Sequence, residues 1–324
     1  MLTRMGSKVR LGAAAVAMSV LSACASLGGG GAEPELGSVP TPNSLDPGQI
    51  VTPLDAYLPS PEENYTLKKA RVLLVNRCMR RLGYPDNPQP LGRYTGRPML
   101  SHTEFLVSPI PQVEQYGFKS PAGERERTGS DADAAYVKKA TKLQGKLLSG
   151  RISTFNGKKV PAQGCEGEAL RVITKGARTP QEVTLPGGNK AGAGKGGFGE
   201  GYAEMVVSAA RSDVMAKVWN DGRFTGAVEN WSKCMAKQGY EYDDPRKARN
   251  DPRWQKSEQA GKEEISTAIA DMRCKKKLNY LGIGIAVESA YEKQAVEKDA
   301  EILGRAKDLT SQWIKNANNA LQAG

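Results

Sequence analysis

Histidine is almost missing from this 324-residue chain: His102 is the only one. One imidazole cannot make a His-rich metal site, and His102 stands in a Pro-rich stretch beside Thr103-Glu104. No catalytic or metal role is expected of it. The familiar nucleophile and metalloprotease patterns are absent as well: there is no Gly-x-Ser-x-Gly, Ser-x-x-Lys or His-Glu-x-x-His. The chain is therefore expected not to be an enzyme and to carry no cofactor. Long hydrophobic runs are lacking. Leu11 to Leu21 is apolar over about eleven residues, whereas a membrane-spanning helix needs roughly twenty. No later stretch reaches that length, so the rest is expected to be soluble. Aromatics make up 6% of residues and the mean hydropathy is −0.50, so the core should be small for the length, with long polar segments between its pieces.

What is present begins at the N-terminus. Arg4, Lys8 and Arg10 precede the apolar run, which ends at Leu21-Ser22-Ala23-Cys24. Charge, apolar run and small residues in that order are the pattern of a secretory signal. With a Cys directly after them, the stretch resembles the lipobox of bacterial lipoproteins. The resemblance implies that the Cys24 thiol takes a diacylglycerol and that a peptidase removes residues 1–23. The mature protein would then begin outside the cytoplasm, tied to the cell membrane through acyl chains, palmitate for example, on Cys24. Each buried methylene contributes about 0.8 kcal/mol, and stable anchoring takes two chains. The plainer alternative is an ordinary signal peptide cut after Ala23, with Cys24 incidental.

The formal charge is +11. Three of the 46 basic residues and none of the 35 acids lie in the first 23 residues, which leaves the remainder at +8. A surface excess of that size favours an anionic wall polymer, lipid head groups or an acidic envelope protein. Nucleic acid is the other usual partner of a basic chain, and the export signal argues against it.

Removing Cys24 leaves Cys78, Cys165, Cys234 and Cys274. An even number in an oxidising compartment implies disulfides; four Cys allow three pairings, and spacing alone does not choose. Zinc is the competing use, but no Cys-x-x-Cys pair is present. An internal repeat bears on the pairing. Cys78-Met79-Arg80-Arg81-Leu82-Gly83-Tyr84 and Cys234-Met235-Ala236-Lys237-Gln238-Gly239-Tyr240 agree at Cys, Met, Gly and Tyr. Each reads as a helix end, with Gly left-handed and the following Tyr amide reaching back to Met79 or Met235. The Cys lies one turn further in, which favours Cys78–Cys165 and Cys234–Cys274, each copy stapled to a later segment.

The fold is expected to be mainly α: a helical C-terminal bundle with one long helix, plus a looser, loop-rich helical N-terminal unit. Residues 24–61, with four successive glycines and seven prolines, read as a disordered tether. Residues 62–175 form the first unit, opened by a helix with Leu67, Ala70, Leu74, Val75, Cys78, Met79 and Leu82 on one face. A short strand pair is expected near Phe105 to Val107, a polar helix over 131–148 and a short helix over 166–174. Residues 176–201 read as a Gly-rich linker. They contain Gly192-x-Gly194-x-x-Gly197, but the context a dinucleotide fingerprint needs is missing, and low complexity explains the glycines better. Within 202–324 helices are expected over 202–219, from 224 to the Gly239 stop, over 254–278 and, as one element, over 283–321.

Trp231, the Cys-Met-x-x-x-Gly-Tyr segment, Cys274 and Ala286-Val287-Glu288-Ser289-Ala290-Tyr291 resemble a group of uncharacterised lipoproteins of high-GC Gram-positive bacteria. The resemblance covers about a third of the chain. It implies export and an all-helical C-terminal part, and brings no activity or site residues. Asp131/Asp133 and Asp243/Asp244 could do acid–base work but stand where helix caps are expected. Lys275-Lys276-Lys277 reads as a solvated helix end opposing the helix dipole. Together these features point to a non-catalytic, lipid-anchored surface protein that binds an envelope component or a partner protein. The alternatives are a transporter's solute-binding lipoprotein and an envelope hydrolase.

Overall fold

Ser60-Pro61-Glu62-Glu63 starts the first long helix. The Ser60 hydroxyl accepts from the Glu63 amide at 3.2 Å, the Glu63 carboxylate accepts from the Ser60 amide at 2.8 Å, and Pro61 supplies the fixed φ of a first turn. The computed structural model describes residues 32–41, 50–84, 88–92, 94, 105, 110–119, 135, 136, 138–194 and 197–323. Ten α-helices lie among the described residues: α1 (Pro61–Leu82), α2 (Ile110–Tyr116), α3 (Lys142–Ser149), α4 (Gly164–Ile173), α5 (Tyr202–Val218), α6 (Gly222–Ala236), α7 (Pro245–Arg249), α8 (Lys262–Lys277), α9 (Tyr280–Lys298) and α10 (Ala300–Gln322). The only strands described form two antiparallel hairpins, Thr154–Phe155 with Lys158–Lys159 and Glu182–Thr184 with Lys190–Gly192. The fold is mainly α, as the periodicity implied. None of the described helices is long and apolar enough to cross a membrane.

Three apolar clusters hold the helices. In one, α6, α8 and α9 gather Phe224, Trp231, Met235, Tyr280 and Val287. In another, α1, α5 and α10 join Leu67, Tyr202, Val206 and Trp313. The smallest lies between α1, α3 and α4 and contains Val75, Leu82, Leu147 and Ala169. The middle cluster draws on both sides of residues 176–201, so the Gly-rich segment does not divide the core at that point. Its own middle is the 182–192 hairpin. Composition could not show this, because the segment is held from outside: Trp313 Nε1 donates to the Ala177 carbonyl at 2.8 Å, and Asn316 Nδ2 to that of Lys175 at 2.9 Å.

Much of the expected tether is docked. Arg223 Nη1 donates to the Pro34 carbonyl at 2.8 Å and Asn279 Nδ2 to that of Pro40 at 2.9 Å. A Cβ on Gly282 would stand 2.0 Å from the Pro40 oxygen, so that approach requires glycine. Pro53–Tyr57 is a 3₁₀ turn with Leu54 fully buried, and the Leu54 amide donates to Glu292 at 2.8 Å. A few anchors order a segment whose average composition reads as disordered.

The expected single helix over 283–321 is two. The chain breaks at Asp299 (φ −106°, ψ 22°) between α9 and α10. Val287, Tyr291 and Ala295 are buried on α9, which packs on α5 and α6. Ala306, Trp313, Ala317 and Ala320 are buried on α10, which packs on α1, α4 and α5. An unbroken helix of that length would run about 55–60 Å; the break lets each half cover a different cluster. Likewise, the helix expected from Trp254 is a 3₁₀ turn (Pro252–Lys256) followed by α8 from Lys262. The expected strand pair near Phe105 to Val107 lies largely outside the described residues. Of the helix expected over 131–148, α3 takes up only the end: the chain leaves the helical conformation at 140–141, and Thr141 caps α3, its hydroxyl accepting from the Gln144 amide at 3.0 Å, while 131–134 and 137 lie outside the described residues.

Candidate ligand-binding site

The two helix ends of the repeat are built alike. Gly83 (φ +83°) and Gly239 (φ +85°) are left-handed; the Tyr84 amide donates to Met79 O at 3.0 Å and the Tyr240 amide to Met235 O at 3.1 Å. One turn inward, Cys78 meets Cys165 with a Cα separation of 5.5 Å, and Cys234 meets Cys274 at 5.8 Å, both pairs at disulfide-bonding distance. The first joins α1 to α4 and the second α6 to α8.

Beside the first pair lies a cavity of about 400 Å³ between α1, α4 and the 3₁₀ turn Gly199–Gly201. Arg71 reaches it from α1, and Glu166 from the first turn of α4, where a carboxylate complements the helix dipole. Arg71 Nε donates to Glu166 Oε2 at 3.0 Å. Glu200 enters from the Gly-rich turn. Its Oε1 is buried and has no hydrogen-bond partner among the described residues. Burial lifts the Glu200 carboxyl to about 7; the Arg71 charge opposes that rise and the Glu166 charge adds to it. Phe198, also in the lining, packs against Tyr202 with ring centroids 5.7 Å apart. The Phe198 amide donates to Thr179 Oγ1 at 2.9 Å. A Cβ on Gly197 would come within 2.3 Å of that oxygen, so Gly197 answers to backbone approach rather than to a nucleotide phosphate. The cavity thus offers two carboxylates, one titrating near neutrality, with a guanidinium, exposed backbone and an aromatic ring.

Other candidates fall elsewhere. Asp244 caps α7, accepting from the Arg246 amide at 2.7 Å, and Asp243 pairs with Lys247 at 2.8 Å, one turn on. Lys275 does not belong to a solvated helix end: it is fully buried, with Nζ 3.0 Å from Asp271 Oδ2. Trp231 Nε1 donates to the other oxygen of Asp271 at 2.8 Å. Burial raises the Asp271 carboxyl and lowers the Lys275 ammonium. The helix end turns one lysine inward because α6 and α9 close over that face. A second buried network ties Arg211 of α5 to Glu292 of α9 (3.1 Å) and to Asp55 (2.9 Å), with Glu288 at 3.7 Å. It fixes the 3₁₀ turn of residues 53–57 to the bundle. Cys24, His102, Asp131 and Asp133 lie outside the described residues.

Sequence reasoning passed over Arg71, Glu166 and Glu200. The one available signal was an isolated acid inside a glycine run, Gly199-Glu200-Gly201. No family model, curated protein or solved structure matches the chain.

Proposed function

We propose that the chain is a lipid-anchored, extracytoplasmic protein that binds an envelope component and catalyses nothing. The observation that carries the reading is the cysteine arrangement. The four that follow Cys24 sit as two pairs at bonding distance on unrelated helix contacts, a use of cysteine suited to an oxidising compartment. Cys24 then remains for the diacylglycerol that the lipobox resemblance implies. The net basic charge favours an anionic wall polymer or envelope protein as neighbour. The Arg71–Glu166–Glu200 cavity suits a hydroxyl-rich ligand, with carboxylates to accept and Phe198 to pack against a ring. The test is the mass of the mature protein with and without reductant. It should begin at Cys24, carry acyl chains, and gain the mass of four hydrogen atoms when the reductant supplies two electrons and two protons to each disulfide. A full-length, unacylated chain in cells that hold an active diacylglyceryl transferase would overturn the reading.

A second reading is supported by the same cavity. Two carboxylates in one cleft, one of them protonated near neutral pH, is the equipment of an acid–base hydrolase. Release of wall fragments by the wild type, lost in Glu200→Gln, would establish it.

A further inference from the structure

A second cavity, of about 410 Å³, lies at the break between α9 and α10, with the 182–192 hairpin as its far wall. Tyr202 lines it. That side chain is wholly buried, yet its hydroxyl has no hydrogen-bond partner among the described residues. A buried hydroxyl without a partner is costly and uncommon, and an acceptor brought against this wall of the cavity would satisfy it. Burial lifts the Tyr202 hydroxyl above the usual tyrosine range, while the Arg305 guanidinium draws it back. The first turn of α10 borders the same space, and Asp299 gives its amides no side-chain cap.

The charges of the lining decide the ligand class. Lys298 and Arg305 are cationic; Glu182, Asp299 and Glu301 are anionic. A simple anion would face three carboxylates, and a simple cation would leave Tyr202 and Arg305 unused. We infer that this cavity binds a small zwitterion, a free α-amino acid. Its carboxylate is taken by the Tyr202 hydroxyl, Arg305 and the start of α10, its ammonium by the acids, and its side chain lies against Val183 and Ile302. This site is separate from the Arg71–Glu166–Glu200 cavity and stands whether or not that cavity binds an envelope component.

The experiment is ligand-observed NMR on the purified full chain with a panel of free amino acids at millimolar concentration, with acetate and methylammonium as single-charge controls. Amino acids should bind and the controls should not. Tyr202→Phe and Arg305→Gln should each weaken binding by about tenfold, the loss of one charge-assisted contact, with a melting temperature no lower than that of the wild type. Glu200→Gln should leave it intact. Binding of no amino acid, equal binding of acetate, or undiminished binding in both variants would overturn the assignment. Loss in Glu200→Gln alone would also do so.

Discussion

The two copies of the Cys-Met-x-x-x-Gly-Tyr helix end share backbone, glycine conformation and crosslink, yet they sit in different surroundings. Around Cys234–Cys274 the core is aromatic: Trp231, Phe224 and Tyr280 are fully buried there, with the Asp271–Lys275 ion pair. Around Cys78–Cys165 it is small and aliphatic, drawn from Val75, Leu82, Leu147 and Ala169, and the nearby half-buried acid, Glu200, has no pairing among the described residues as close as that of Asp271. The difference teaches that one local motif can finish a core that already stands or stand in for a core that is too small. The first staple should therefore matter more than the second.

The largest effect expected is on the first staple. Cys78→Ala with Cys165→Ala opens a crosslink spanning 87 residues and should cost about 4–5 kcal/mol in urea unfolding; the pair separated by 40 residues should cost about 4. Hydrogen exchange should separate them further, with α3 and α4 losing protection after the first change and α6 and α8 keeping theirs after the second. Equal protection in both would break the comparison. Next in size, Lys275→Ala should destabilise by about 3–5 kcal/mol, since it strands Asp271 in the core. Lys275→Met with Asp271→Asn keeps an acceptor for Trp231 and should recover most of that loss in the same assay.

Glu200 supplies the pH arm. Its folded value of about 7 exceeds the ordinary 4.5, so the folded state holds a proton that the unfolded state has released between those limits. The stability it contributes is fully present below about 4.5 and is lost as pH rises through 7. With partial exposure discounted, the loss is about 2 kcal/mol. Glu200→Gln should flatten the urea midpoint between pH 5 and 8; an unchanged slope would show that the acid is solvated. The smallest effect separates the two glycines. Gly239→Ala should cost about 1 kcal/mol for its left-handed conformation alone. Gly83→Ala should cost about 0.5–1 kcal/mol more, because its Cβ meets Asn156 Nδ2 at 2.9 Å, and that side chain caps Leu82 and Gly83 carbonyls.

Much of the local structure was legible in the sequence. Both helix ends, the Tyr–Met backbone bonds and the positions of α1 and α5 follow from glycine and apolar spacing, which act within a turn or two of the chain. What was illegible depended on distant partners. Lys275 reads as solvated until α6 and α9 cover it, and Glu200 reads as filler until α1 and α4 wall it in.

The sequence by itself determined the helical class and the capping of the repeat, because both rest on conformational preferences of neighbouring residues; the repeat favoured a Cys pairing whose partners lie 87 and 40 residues apart. Only the tertiary structure decided where the last helix breaks, that residues 34–41 and 50–60 dock, and which acids become buried. Those outcomes depend on which surfaces meet across tens to hundreds of residues, and no local preference encodes that.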